Sequence, residues 1–284
     1  MAEEPINLES IPESGPFYPP LDQKPYELWK DLLQPGNPIT PAEAAKKINE
    51  LFPVRKPEDT VESYNDSAAV FLEHFWGLLI RIVRLIPRDH SAQIKVVQIL
   101  EELARLPPTT MEGDSWMTDE TLVWTDLPFL GMCMRDDWIP PDTHGMIPNK
   151  DSALQWINQN SFAARLLHTG LMGWTNFAVW EVRRVLEEPA GDRTFMNYSV
   201  ATAAEWILQS GEEVFKEMSE DIDEDEARPM AAGSLFPGKS GSLRERWSFW
   251  KTRFPEVSQQ VDEDVRKQAI RAVERMKELE QAES

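Results

Sequence analysis

The chain has 284 residues, with 29 Lys and Arg against 49 Asp and Glu, a formal net charge of −20. That excess repels phosphate backbones and anionic lipid, and no basic stripe interrupts it, so it argues against nucleic acid and membrane surfaces as partners. Apolar residues make up 41% and aromatics 10%, enough for a sizeable core in a chain near the upper length for one domain.

Residues 1–25 hold Pro5, Pro12, Pro16, Pro19, Pro20 and Pro25. This density predicts an extended arm, because proline fixes φ and restricts its neighbour. Phe17, Tyr18 and Leu21 give the arm a means of strapping across the body. The opening MAEEPINLES reads as no secretory signal. A short helix follows over 26–33. Thr40, Pro41 and Glu43 then predict a capped helix start. A long helix is expected over 58–86, apolar almost all round in its second half, and Pro87 ends it. Within it Phe75 to Ile86 is the longest apolar stretch, yet it contains Arg81 and Arg84 and is too short to span a bilayer. Asp89 is the expected cap of the next helix, which stops before Pro107 and Pro108.

Residues 107–122 read as a loop. A helix capped by Thr125 or Asp126 is expected to carry Leu127, Leu130, Met134 and Trp138 on one face. Further helices are predicted over 151–168, 171–187 and 198–218. Residues 219–241 are acidic and then rich in Gly, Pro and Ser, which predicts a mobile loop. Ser242 and Glu245 suggest a capping box for the next helix, which Pro255 separates from a last one. In that last helix Val257, Val261, Val265, Ala269, Val273 and Met276 form a docking stripe. The sum is an all-α fold, a single-domain multi-helix bundle with a Trp-rich core, comprising the arm at 1–25 and the helical body at 26–284.

Motifs for chemistry are few. Asp221, Asp223 and Asp225 imitate a calcium loop, but Glu226 and Ala232 stand where Gly and a bidentate Glu belong. His74, His90, His144 and His168 have no metal-ligand spacing. Cys133 is the only cysteine, expected buried and inert. No phosphate loop, dinucleotide fingerprint or nucleophile elbow is present. No metal and no cofactor are therefore expected.

The polar residues within aromatic helices are more informative. In the helix over 151–168, Asn160 falls on the face of Trp156, and a polar stripe of Asn158, Ser161 and Arg165 runs between two apolar flanks. In the next helix Glu181 lies between Trp174 and Phe177. Trp124, Asp126, Trp156, Asn158, Asn160, Arg165, Trp174, Glu181 and Trp206 are accordingly the candidate pocket residues, with Arg165 expected to pair with Glu181 or Asp126. Aromatic walls with convergent polar groups describe a small-molecule site. The same residues, mutually paired, describe a solid core.

The blocks FWGLLIRIVRLIPRDHSAQ, VWTDLP, WINQNSFAARL, AVWEVRRVLE, AAEWILQSGEEVF and RERWSFWKTRF resemble an uncharacterised family of fungal proteins, domain of unknown function 3632. The likeness spans residues 71–254. It implies a fungal, intracellular, helical protein and no established activity. The reading favoured by these residues is a cytoplasmic, non-catalytic binding or interaction protein with a protein partner or an apolar small molecule. The alternative is a cofactor-independent tailoring enzyme or carrier for an apolar fungal metabolite.

Overall fold

A computed structural model describes residues 3–112 and 120–283, leaving the side chains of residues 112, 120, 144 and 283 undescribed. The loop expected over 107–122 therefore lies partly outside the described residues, as does the side chain of His144. The fold is all-α, and its contacts cluster in two compact units, Met1–Ile139 and Pro140–Ser284. Each is described by itself.

The first unit opens with an extended segment in which Ile6, Leu8 and Ile11 are buried. Helix α1 spans Pro19–Leu32, so the arm expected through Pro25 stops seven residues short of that point, at Tyr18. Pro19 and Pro20 sit in the first helical turn, where a missing N–H goes unused, and they start the helix rather than prevent it. Helix α2 (Pro41–Asn49) has the expected capping box, in which Thr40 Oγ1 accepts from the Glu43 N–H and Glu43 accepts in return. Helix α3 (Val61–Leu85) is capped by Thr60 and buries Phe71, Phe75, Trp76 and their neighbours. Asp89 does not cap helix α4 (Ser91–Ala104). His90 does, its Nδ1 accepting from the Ala92 N–H at 3.0 Å.

Within the described part of 107–122, strands β1 (Thr110–Glu112) and β2 (Glu120–Leu122) pair antiparallel. The helix expected beyond Asp126 is broken in two. Helix α5 (Val123–Asp126) is one turn, and α6 (Leu130–Asp136) follows a left-handed corner with φ of 46° at Leu127 and 68° at Phe129. Pro128 between them disfavours helical geometry at Leu127 and supplies no N–H. Trp76 Nε1 fastens the corner by donating to the Pro128 carbonyl at 2.8 Å. Trp124 packs against Phe52, Phe75 and Trp76.

In the second unit, α7 (Lys150–Thr169) is capped by Asn149 and ends at Gly170, whose φ of 75° suits a residue without Cβ. Helix α8 (Thr175–Leu186) begins four residues later than expected. Helix α9 (Arg193–Glu217) begins five residues earlier, because Asp192 accepts from the Phe195 N–H. Inside α9, Ser210 leaves helical geometry at φ −135° and ψ 27°, while its hydroxyl donates back to the Trp206 carbonyl. Such back-bonding bends helices.

Helix α9 is central to this unit, packing on α7, α8 and the last helix α11 (Glu263–Glu283). Helix α10 (Leu243–Val257) includes Pro255 rather than ending at it. The expected Ser242–Glu245 box is absent because Ser242 makes no side-chain cap bond and Asp221 accepts from the Arg244 N–H instead. The predicted stripe divides accordingly. Val257 belongs to α10 and Val261 to the connection, while Ala269, Ala272, Val273, Met276 and Leu279 are buried along α11.

Candidate functional site

Helix α7 buries eleven consecutive or near-consecutive residues, from Trp156 to Leu167, including Asn158, Gln159, Asn160 and Ser161. A helix covered on nearly all sides must satisfy its polar groups internally. Asn160, fully buried, does so twice. Its Nδ2 donates to the Trp156 carbonyl at 2.9 Å, and its Oδ1 accepts from Trp206 Nε1 of α9 at 2.8 Å. Glu181 of α8 accepts from Trp156 Nε1 at 3.3 Å. Trp156, Asn160, Glu181 and Trp206 therefore form a chain of hydrogen bonds joining α7, α8 and α9.

Beside it runs a second relay. Arg165 Nη1 donates to Ser161 Oγ at 3.1 Å, and Ser161 Oγ donates to Glu205 Oε2 at 2.9 Å. Burial lowers the Arg165 pKa, and the nearby Glu205 carboxylate opposes that shift. Glu205, on α9, was not among the expected partners. It stands in AAEWIL next to Trp206 and one turn before Gln209, where an isolated acid between apolar residues is the signal available in the sequence. Asp126 is an exposed residue of the first unit, and its carboxylate accepts from the Leu122 N–H at 2.7 Å. Trp124, also in the first unit, donates to Asn49 Oδ1. Trp174 is buried against Phe177, and Asn158 is buried on α7.

A further buried polar cluster joins the end of α8 to α10. Glu187, which ends α8, and Arg246 of α10 are both 0% exposed and bonded bidentately, Nε to Oε1 at 2.9 Å and Nη2 to Oε2 at 3.2 Å. Trp250 Nε1 and the Gly233 N–H also donate to this carboxylate. Arg246 Nη1 in turn donates to the carbonyls of Met230 and Ser240. Segment 219–241 is thus fastened through its second half, where Ala227, Met230 and Phe236 are buried, while most of 220–226 is exposed. Periodicity alone does not reveal the pair, since each residue looks like an ordinary helix-surface charge.

Among the described residues no group of three or more His, Cys, Asp or Glu is placed to hold a metal ion. Cys133 is half-buried, not fully buried as expected, and its thiol is pushed up to about 11, by burial first and then by Glu73, Asp136 and Asp137. No described helix is long and apolar enough to cross a membrane.

A family profile described as "Protein of unknown function (DUF3632)" matches residues 76–254, the stretch that contains both relays and the Glu187–Arg246 pair. The chain belongs to this family. No curated protein and no solved structure matches it. The segment at 3–18, helices α1 and α2, the first part of α3 and all of α11 lie outside the matched residues.

Proposed function

We propose that this DUF3632 protein is a non-catalytic interaction protein, acting in the cytosol on a protein partner. The observation that carries the reading is the mutual engagement of the polar residues that converge among α7, α8 and α9. Asn160 is held by Trp156 and Trp206, Glu181 by Trp156, and Ser161 by Arg165 and Glu205. A catalytic acid, base or oxyanion donor must have bonding capacity directed at a reacting atom. These groups direct theirs at one another and so rigidify a helical scaffold. The acidic surface and the exposed stretch at 220–226 suit recognition by charge and shape. A lone, half-buried cysteine suits a reducing compartment.

Native mass spectrometry of protein purified from its source tests this. The expected result is the mass of the chain without a small-molecule adduct, and an extract of apolar metabolites left chemically unchanged after incubation. A stoichiometric organic adduct that Trp206→Phe removes, or a metabolite converted by the protein, would overturn the reading.

A further inference from the structure

Residues 3–16 run extended through Leu8 and turn over 9–15, and side chains of the body hold their main chain. His90 Nε2 meets the Glu4 carbonyl at 3.0 Å, Gln34 Nε2 donates to the Ile6 carbonyl at 3.0 Å, and Tyr26 Oη donates to the Leu8 carbonyl at 3.2 Å. Arg81 then donates to the carbonyls of Ile11 and Pro16. The first three acceptors recur at every second residue, the period of an extended strand. Side chains alternate to match: Ile6 and Leu8 are buried, Asn7 and Glu9 exposed, and after a turn Ile11 is buried again.

Charge reinforces the seating. Residues 3–18 contain four Glu and no Lys or Arg. Lys30 Nζ donates to Glu9 at 2.6 Å, and the Ser91 N–H donates to Glu3 at 2.9 Å, with His90 3.8 Å from the same carboxylate. Where Glu3 enters, a cleft of about 450 Å³ continues between Leu33–Asn37 and Ser91–Lys95. The chain's own segment therefore sits as a peptide ligand sits in a groove: carbonyls held by fixed donors, and aliphatic anchors at i, i+2 and i+5 buried.

We infer that this groove is a peptide-recognition surface, occupied in cis by residues 3–14, whose trans ligand is an acidic segment of a partner protein, extended over its first two aliphatic anchors and turned before the third, with the same anchor spacing. Such a segment meets the same donors, because they read backbone carbonyls rather than particular side chains, and Lys30 and His90 select for its acids. The cleft beyond Glu3 accommodates residues preceding the first anchor. The inference rests on the interaction-protein reading and names its surface and partner class.

The test uses a fluorescein-labelled peptide of residues 3–14 and two opened proteins. One lacks residues 1–14. The other is the full chain with Leu8→Asp and Ile11→Asp, which empties the anchors without shortening the chain. Fluorescence anisotropy should show saturable binding to both, and on the order of 100-fold weaker binding to the unaltered chain, whose groove is filled. A peptide carrying Leu8→Asp and Ile11→Asp should not bind, and Arg81→Met in the full-length opened protein should weaken binding of the normal peptide. Absence of binding to the opened proteins, or equal binding to the unaltered chain, overturns the inference. Loss of the folded state in both opened proteins also overturns it, since the segment is then an integral core element. Failure here leaves the mass-spectrometric test of the helical interior untouched, so the two readings fail separately.

Discussion

Replacing Arg246 by Met should be the most damaging single change of a charged residue in the second unit. The methionine fills much of the volume of the guanidinium but removes four hydrogen bonds, two to Glu187 and one each to the Met230 and Ser240 carbonyls. Glu187 keeps the Trp250 and Gly233 donors, yet its charge remains, fully buried, with its cationic partner gone. Breaking a buried pair from one side costs about 3–5 kcal/mol, and the two carbonyls left without a donor place the expected loss in the upper half of that range. Urea unfolding followed by tryptophan fluorescence measures it. Adding Glu187→Gln to the variant should recover at least ~1 kcal/mol by removing the stranded charge. Arg246→Lys should not substitute, because an ammonium cannot span both carboxylate oxygens and both carbonyls. A loss under ~1 kcal/mol for Arg246→Met, or a cycle with Glu187 showing no coupling, would refute the argument that this pair holds the unit together.

Arg165→Met should cost only about 1–2 kcal/mol, since that guanidinium is part-buried and partly screened by solvent, and its double-mutant cycle should couple to Glu205; additivity with Glu205→Gln would remove the relay. Alkylation of Cys133 by iodoacetamide at pH 8 should be on the order of 100-fold slower than for a free thiol and should accelerate as pH rises toward 11, because only the thiolate reacts and burial holds the proton on; a rate like that of free cysteine would contradict its placement. Limited digestion by proteinase K, which has broad specificity, should cut first within 220–226 and leave the bonds between Met230 and Gly241 intact; equal cleavage of the two halves would show that the Arg246 bonds do not fasten the segment.

Helix identity was legible in the sequence wherever apolar spacing ran long. Helices α3, α4, α7 and α9 came from periodicity, and the Thr40–Glu43 box from its motif. What failed was local. Pro19 and Pro20 read as extended because proline starts helices as readily as it prevents them, and only the residues behind them decide. Pro128 lies inside a convincing stripe from Leu127 to Trp138, yet forces the corner between α5 and α6. At the candidate site, Asn160, Glu181 and Trp206 were recognisable as polar anchors among aromatics, and the structure joins them. Their partners were harder, because helix phase says which face a residue occupies and not which residue on another helix meets it. Glu205 and the Glu187–Arg246 pair, 59 residues apart, belong to that class.

That separation bears on the order in which the protein assembles. Glu187 ends α8, where the unsatisfied carbonyls already concentrate negative charge, so a lone carboxylate there weakens the final turn. Until α10 arrives, nothing in the preceding chain neutralises it within this cluster, and closing so long a loop is entropically slow. Helices α7, α8 and α9 are joined by short connections and bring their own hydrogen-bonded relays, so they form the early nucleus. The last turn of α8, segment 227–241 and α10 lock together afterwards, in one step. Substitutions at Arg246 should then accelerate unfolding and leave the refolding rate nearly unchanged, whereas substitutions at Asn160 or Trp206 should slow refolding. The fully buried Glu187–Arg246 pair is thus a latch on the protein's kinetic lifetime rather than a seed of its fold.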